Sequence, residues 1–273
     1  MSYTSAGSVS QRVDAEVVLV RYRPLLAEGM RDALEHALAW RKVAPPAAAL
    51  LDEFDGQIEY HLGWRNPDLS PAQSHPGKLL RPTLVLLASE LAAGRHGATA
   101  SERDDLVRRV VPAAACVELV HNFSLVHDDI EDGDEERRHR PTLWKLWGIP
   151  QAINTGDAIF SLARQGLWRL VDAGIAPLVV VRLAALLDRT CLELCEGQFL
   201  DMRYEGRRDI TVEMYLEMIG RKTAALMACS TEMGAHLGAP DDAALAGTLA
   251  RFGRALGLAF QLRDDLLGIW ATK

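Results

Sequence analysis

The sequence predicts an all-α protein built as a single-domain helical bundle, and three observations support this class. Apolar residues recur at helical rather than strand spacing along nearly the whole chain. Ala, Leu, Glu and Arg, which favour helices, dominate the composition. The breaks between the periodic stretches carry turn chemistry, and they fall at residues 45–46, 66–77, 94–97, 148–150 and 238–240.

The predicted helical segments have ends that are fixed only to within several residues. The predicted segments are residues 12–42, 46–63, 78–94, 103–130, 141–171, 176–204, 211–237 and 241–271. The first ends before two prolines, the second at a long loop, the third at a glycine pair and the fourth in an acidic cluster. The valine-rich stretches "EVVLVRY" and "PLVVVRL" could be strands, but each continues into a Leu/Ala helical pattern. Both are therefore predicted to be helical.

The composition limits the domain count and the partners. With 273 residues and 49% hydrophobic content, the chain can bury a real core, and no linker interrupts it, so residues 1–273 are predicted to form one domain. A net charge of -7 argues against nucleic acid as a partner, because such binding needs a broad cationic face. Any bound anion must therefore be held by local basic residues or by a metal ion.

The cysteines and the apolar runs indicate in which cellular compartment the protein is expected. Cys116, Cys191, Cys195 and Cys229 lie in apolar segments without a CxxC pair, which predicts buried free thiols rather than disulfides or a zinc site. No basic region followed by an apolar stretch opens the chain, and no apolar run reaches the roughly 18 residues of a spanning helix. These features favour a soluble, cytoplasmic protein without a transmembrane segment.

The stretch "LVHDDIEDGDEERRHRPT" (125–142) contains the first acidic cluster. On a helix, Asp128 and Asp132 share a face, while Asp129 points about a quarter turn aside. Their mutual repulsion is relieved by a divalent cation, and carboxylate oxygens suit Mg²⁺ together with substrate phosphates. A solvated acidic loop is the alternative. The position at the end of a predicted core helix favours the metal site.

A second acidic pair lies in "LGLAFQLRDDLLGIW". Asp264 and Asp265 fall within an apolar helical run, and Gln261 lies one turn before Asp265. Carboxylates in such a run are costly unless they are paired or metal-bound. The two acidic pairs could face each other across a bundle, where facing helices are known to hold metals.

Basic residues accompany both acidic pairs. Lys78 and Arg81 lie at the start of a helix in "GKLLRP", where the helix dipole also favours an anion. Lys222 and Thr223 follow Gly220, which indicates a kink or a close approach inside a helix. The remaining cations follow the first acidic cluster, and they are Arg137, Arg138 and Arg140.

Each of these residues, and His121, also has a purely structural explanation that requires no bound ligand. Lys78 and Arg81 could be a solvated first turn, Lys222 a surface lysine, Gly220 a cap and His121 a core histidine. Together they indicate a diphosphate substrate with an apolar remainder lying among the helices. The sequence has no Gly-rich phosphate loop, which argues against a nucleotide.

The chain resembles the trans-isoprenyl diphosphate synthases, the family of farnesyl and geranylgeranyl diphosphate synthases. The resemblance covers essentially the whole length, and the order and number of motifs make it specific. The matching motifs are "GKLLRP" (77–82), "HDDIED" (127–132), "RRHRPT" (137–142), "GDAIF" (156–160), "EGQFLD" (196–201), "KTA" (222–224) and "FQLRDD" (260–265).

The resemblance implies an isoprenoid-synthase-type bundle around a central cavity, usually a homodimer, with Mg²⁺ as cofactor. Its substrates would be isopentenyl diphosphate and an allylic prenyl diphosphate. The metal would be held by Asp128, Asp132 and Asp264, with support from Asp129, Asp201 and Asp265. The allylic diphosphate would be bound by Arg137, Lys222, Thr223 and Gln261. Isopentenyl diphosphate would be bound by Lys78, Arg81, His121 and Arg138. The catalytic set would be Asp128, Asp132, Lys222 and Asp264.

In this family, bulky residues four or five positions before the first motif block the growing tail. Here those positions are Ser124 and Phe123. One aromatic residue beside a small one resembles the geranylgeranyl (C20) synthases more than the farnesyl (C15) synthases. The expected reaction is therefore the formation of a short-chain all-trans product of C20 length.

Two departures from the family pattern keep alternatives open. Gly268 stands where many members have a third aspartate in the second motif. The ending "GIWATK" lacks a helix-stop residue, whereas the family continues through another lysine and further helices, so we expect a truncated chain or a different closure of the cavity. A terpene cyclase on the same fold has less need of Lys78, Arg81 and Arg138. A non-catalytic regulatory subunit would not need the intact first motif.

Overall fold

The computed structural model describes residues 15–39, 41–42, 44–72 and 77–270. Within these residues the regular secondary structure is helical, apart from one short hairpin and an isolated bridge. The predicted all-α class is confirmed. The helices are α1 (Ala15–Leu38), α2 (Pro45–His61), α3 (Leu80–Arg95), α4 (Ala100–Glu131), α5 (Leu143–Trp147), α6 (Ile149–Asp172), α7 (Pro177–Tyr204), α8 (Val212–Ile219), α9 (Ala225–Gly238) and α10 (Ala243–Trp270). Both valine-rich stretches are helical, in α1 and α7. The outermost ends of the first and last predicted segments, and the last three residues of "GIWATK", lie outside the described residues.

Helix starts follow local capping chemistry. Thr99 and Glu102 form a capping box that begins α4 three residues earlier than the apolar pattern predicts. The Glu102 carboxylate accepts from the Thr99 amide at 2.7 Å, and the Thr99 hydroxyl accepts from the Glu102 amide at 3.3 Å. Prolines occupy the first turn of α2, α6 and α7, where the missing N–H costs no hydrogen bond.

The predicted segment 141–171 is wrong as one helix, because Gly148 divides it into α5 and α6. A hairpin that the sequence analysis did not predict precedes α5. Its strands are β1 (Glu136–Arg137) and β2 (Arg140–Pro141), paired antiparallel. The two turn residues, Arg138 and His139, both have positive φ, at 54° and 60°. A two-residue hairpin turn with both φ angles positive usually contains Asn or Gly, so the chain holds Arg138 in a costly conformation.

The predicted segment 211–237 is interrupted by a π-helical stretch, Gly220–Ala224, between α8 and α9. We call this stretch the π segment. It confirms the local irregularity predicted at Gly220. Such π turns are frequent at functional sites, and this one carries Lys222 and Thr223.

Helix α4 runs through the core of the protein. It packs against α1, α3 and α6, while α9 packs against α3 and α10. The α4 residues Ala113, Ala114, Ala115 and Cys116 are fully buried, which allows close helix packing. By length and composition α4 could cross a membrane, contrary to the predicted absence of such a run, and 67% of its apolar window is buried inside the protein. That degree of burial is typical of a core helix.

All four cysteines are free thiols, as predicted. Cys116, Cys191 and Cys229 are buried, and burial raises the pKa of each thiol. The expectation of burial is wrong for Cys195, which is exposed. It lies one helical turn after Cys191 on α7, next to Leu194 of the buried stripe, and it lines a cavity on the surface of that helix.

Candidate active site

The last turns of α4 line a cavity on each of two faces. The first, which we call the aspartate cavity, has a volume of about 260 Å³, and its lining includes Phe123, Ser124, His127, Asp128, Gln198 and Lys222. The second, which we call the arginine cavity, also has a volume of about 260 Å³, and its lining includes His61, Asn122, Asp129, Arg137, Arg138 and Arg140. The residues predicted from the acidic cluster are thus divided between two cavities.

Asp128 lies in the aspartate cavity. Burial is the main cause that raises the pKa of its carboxyl group to about 6; the negative charges of Asp132 and Glu131 act in the same direction, and Lys222 opposes them. Asp132 caps the end of α4 and is exposed. Asp132 does not line this cavity, but its charge acts on the Asp128 carboxyl group from one helical turn away.

Asp129 faces the arginine cavity. Its carboxylate is 2% exposed and accepts a hydrogen bond from Nε of Arg137 at 2.6 Å. Burial raises its pKa to about 6, although Arg137 acts in the opposite direction. Arg137, which the family resemblance assigns to the allylic diphosphate, is therefore paired with a supporting acid on the other face of α4.

The carboxylates of the two acidic pairs do not form one metal-binding group in this structure. Within residues 15–39, 41–42, 44–72 and 77–270, no three carboxylate, imidazole or thiol groups come together at metal-ligand distances. Asp264 is exposed and acts electrostatically on Arg81 of α3. The donors present nevertheless fit Mg²⁺, because Asp128 and Asp132 offer hard oxygen atoms, and Mg²⁺ binds through one or two carboxylates plus substrate phosphates.

Three residues assigned to the allylic diphosphate lie on the π segment and on α10, which pack against each other. Nζ of Lys222 donates to Asp201 at 2.6 Å, and this contact connects the π segment to α7. The hydroxyl of Thr223 donates to Oε1 of Gln261 at 2.8 Å. Nε2 of Gln261 in turn donates to Oδ1 of Asp265 at 2.8 Å. These bonds set the direction of each side chain.

Residues assigned to isopentenyl diphosphate converge near the start of α3. Nη1 of Arg81 lies 3.2 Å from Nε2 of His121, and burial, together with the nearby arginines, holds the pKa of His121 well below its usual range. A methyl group placed at Gly77 would lie 3.0 Å from Nη2 of Arg138, so this guanidinium lies directly against the Gly77 backbone. Nζ of Lys78 lies 6.0 Å from the centre of the Phe260 ring.

The two residues predicted to limit product length both line the aspartate cavity. Ser124 donates its hydroxyl to the carbonyl of His121 at 2.9 Å, which directs the small side chain back along α4. The Phe123 ring packs against Phe160 of α6, with ring centres 4.9 Å apart. Phe160 does not line this cavity itself, so it packs against the Phe123 ring from the side of α6.

Sequence reasoning gave no role to several polar residues in or near these cavities, among them Gln198, Glu118 and His61. Gln198 lines the aspartate cavity, and both of its amide atoms are buried without a hydrogen bond. Glu118 is 4% exposed near Arg81 and Arg138, and burial raises its pKa to about 7. His61 lines the arginine cavity, where burial and three arginines lower its pKa to about 3.

The signals for these residues differ in strength. Gln198 belongs to the matching motif "EGQFLD", so its motif was noted without a role for the glutamine itself. Glu118 is a lone acid in the apolar stretch "ACVELVHNF", and this isolation could have marked it. His61 carries no such signal in "EYHLGW".

The helical fold, which is similar to that of solved polyprenyl synthases, is an all-α bundle of the isoprenoid synthase type. The sequence profile of the polyprenyl synthetase family matches residues 69–273, and the chain belongs to this family.

Comparison with individual proteins gives a similar picture. The chain is 46% identical over 211 residues to a geranylgeranyl diphosphate synthase of Mycobacterium tuberculosis, covering 77% of this chain and 56% of that protein. It is 45% identical over 239 residues to a (2E,6E)-farnesyl diphosphate synthase of Mycobacterium bovis, covering 85% and 61% respectively. A solved polyprenyl synthetase from Streptomyces coelicolor A3(2) shares 41% identity with a TM-score of 0.77, covering 95% of this chain and 68% of that one. The chain therefore spans less than two thirds of the length of the two mycobacterial relatives.

Proposed function

We propose that this chain is a prenyltransferase that joins isopentenyl diphosphate to an allylic diphosphate. The observation that carries the proposal is the pair of cavities on two faces of one helix end. One cavity combines Asp128 and Lys222 with an apolar wall, which suits an allylic diphosphate. The other is rich in arginine, which suits the diphosphate of the second substrate.

The reaction breaks the allylic C–O bond and forms a new C–C bond. Bound Mg²⁺, held by Asp128, Asp132 and Asp264, would supply positive charge to the departing diphosphate. Lys222 adds a fixed cation beside that diphosphate, oriented by Asp201. The double bond of isopentenyl diphosphate attacks the allylic cation and forms a new carbocation. This carbocation loses a proton to the released diphosphate, which leaves the double bond of the product. The apolar residues around Phe123 exclude water that would quench the cation.

We place the product at C20, as an all-trans prenyl diphosphate. The support is the single aromatic Phe123 beside the small Ser124 in the cavity wall. The mycobacterial relatives include both a geranylgeranyl and a farnesyl synthase, so family membership alone leaves the length open.

We also propose a homodimer, formed through α6 and α7. These helices expose large apolar side chains, including Trp168 at 47%, Leu178 at 73% and Val181 at 57%. These residues lie on either side of the connection between α6 and α7, and exposed apolar surface is typical of protein interaction sites. Light scattering after size exclusion should give twice the mass of the 30.0 kDa chain.

The test is incubation of the chain with Mg²⁺, labelled isopentenyl diphosphate and the C5, C10 or C15 allylic diphosphates, followed by chromatography of the dephosphorylated products. A linear C20 alcohol is expected. Asp128→Ala should lower turnover by at least about a hundredfold without a lower unfolding temperature, because it removes one of several repelling carboxylates. A cyclic hydrocarbon would indicate a terpene cyclase. No product from the folded wild-type chain would contradict the proposal and favour a regulatory subunit.

A further inference from the structure

Tyr215 of α8 makes a side-chain contact that crosses the end of the bundle. Its hydroxyl donates to Oδ2 of Asp265 on α10, fifty positions later in the chain. The tyrosine is half-buried, and burial together with this hydrogen bond raises its pKa to about 12. It therefore remains a donor at physiological pH, which is the role that a carboxylate acceptor requires.

The contact is the end of a longer chain of hydrogen bonds. The other oxygen of Asp265 accepts from Gln261 at 2.8 Å, and Gln261 accepts from Thr223 at 2.8 Å. Tyr215, Asp265, Gln261 and Thr223 thus connect α8, α10 and the π segment. Both carboxylate oxygens of Asp265 are occupied.

Close packing of Gly253 and Gly257 against α9 and the π segment sets the rotation of the middle of α10, and this arrangement holds its C-terminal end. Adjacent helical residues point about 100° apart, so holding Asp265 inward fixes the direction of Asp264. Asp264 has no hydrogen bond of its own among the described residues and is exposed. The end of α10 beyond this point exposes Leu266, Leu267 and Ile269, and so contributes little packing that would hold the rotation.

We propose that Tyr215 is a positioning residue, which acts through Asp265 to set the direction in which Asp264 points from α10. The inference rests on the proposed function, because it assigns Asp264 to the diphosphate site. Without the tyrosine hydroxyl, α10 retains its helix but loses the bond that connects it to α8.

The test compares Tyr215→Phe with Tyr204→Phe as a matched control. Tyr204 lies at the end of α7 against Arg207, and its hydroxyl makes no hydrogen bond within the described residues. Tyr215→Phe should accelerate amide hydrogen exchange over residues 261–268 in the ligand-free protein. It should also raise KM for the allylic diphosphate about 3- to 10-fold, and by more than it raises KM for isopentenyl diphosphate. Tyr204→Phe should do neither.

Unchanged exchange over residues 261–268 would overturn the proposal. Equal changes in both KM values, with a lower unfolding temperature, would also overturn it, because they indicate a merely structural bond. The exchange measurement needs no turnover. A wild-type chain without product would therefore contradict the proposed function separately, and the exchange result would still decide whether Tyr215 fixes α10.

Discussion

A methyl group placed at Gly197 of α7 would lie 2.2 Å from the backbone nitrogen of Lys222 and 2.6 Å from its Cα. The π segment and α7 therefore touch backbone to backbone at this point. The contact places Lys222 where its side chain reaches both Asp201 and the aspartate cavity. Only glycine has room at this crossing.

Gly197→Ala is expected to lower the free energy of unfolding by more than about 3 kcal/mol, since backbone atoms of the π segment would have to move. Any folded fraction should have lost most of its activity, because Lys222 moves with the segment. Urea unfolding and product formation measure the two effects.

Gly166→Ala is the matched control for this change. It lies inside α6, where an added methyl group meets nothing within 4 Å. It should raise stability by about 0.5–1 kcal/mol, because alanine loses less backbone entropy in a helix. Equal stabilities for the two variants would show that the contact between Gly197 and Lys222 is not close.

Gln198→Met is expected to separate stability from activity. Its amide atoms are buried without partners, so an apolar side chain of similar size should raise stability by about 1 kcal/mol. Turnover should nevertheless fall by at least about tenfold, because the amide is then no longer available to the ligand in the aspartate cavity. Product formation under saturating substrates measures this, with the exposed Gln151→Met as control. Unchanged turnover would mean that Gln198 has no part in the reaction.

The buried carboxyl group of Glu118 should make the stability of the protein depend on pH. Arg81 of α3 and Arg138 of the hairpin face its carboxyl group, and Asn122 of the same helix donates to it at 3.3 Å. Burial nevertheless dominates and raises its pKa from 4.5 to about 7. The folded state therefore holds this proton more tightly than the unfolded state. The stability that it contributes is complete below pH 4.5 and is lost as the pH rises through 7.

Glu118→Gln should remove this loss. Relative to the wild type, the variant should gain about 1–3 kcal/mol of stability between pH 5 and pH 8. Urea unfolding of both proteins at several pH values gives the difference in their free energies of unfolding. His61 and His121 act in the opposite direction, but they are present in both proteins, so their effects cancel in this difference. Parallel curves for the two proteins would contradict the prediction.

The sequence predicted the helices well because apolar spacing and turn residues are local signals. It placed an irregularity at Gly220, but it could not predict a π turn, since that geometry depends on the approach of Gly197 from another helix. The hairpin was missed because Arg138 and His139 are unusual residues for positive φ. Motif resemblance located Lys222, Thr223 and Gln261 together, whereas the hydrogen bonds that connect them depend on tertiary packing.

Phe123 and Ser124 give a prediction about product length. Phe123→Ala should shift the products beyond C20, because it removes the ring that Phe160 supports at a centre distance of 4.9 Å. Ser124→Phe should shift them toward C15, because a second ring would enter the aspartate cavity. Total incorporation of isopentenyl units should stay within about tenfold of the wild type, since neither residue carries a charge that would bind the diphosphate. Chromatography of the dephosphorylated alcohols measures the lengths. An unchanged distribution in both variants would mean that the tail leaves the cavity by another wall, and Leu194, Phe199 and Met202 of α7 form the wall that remains.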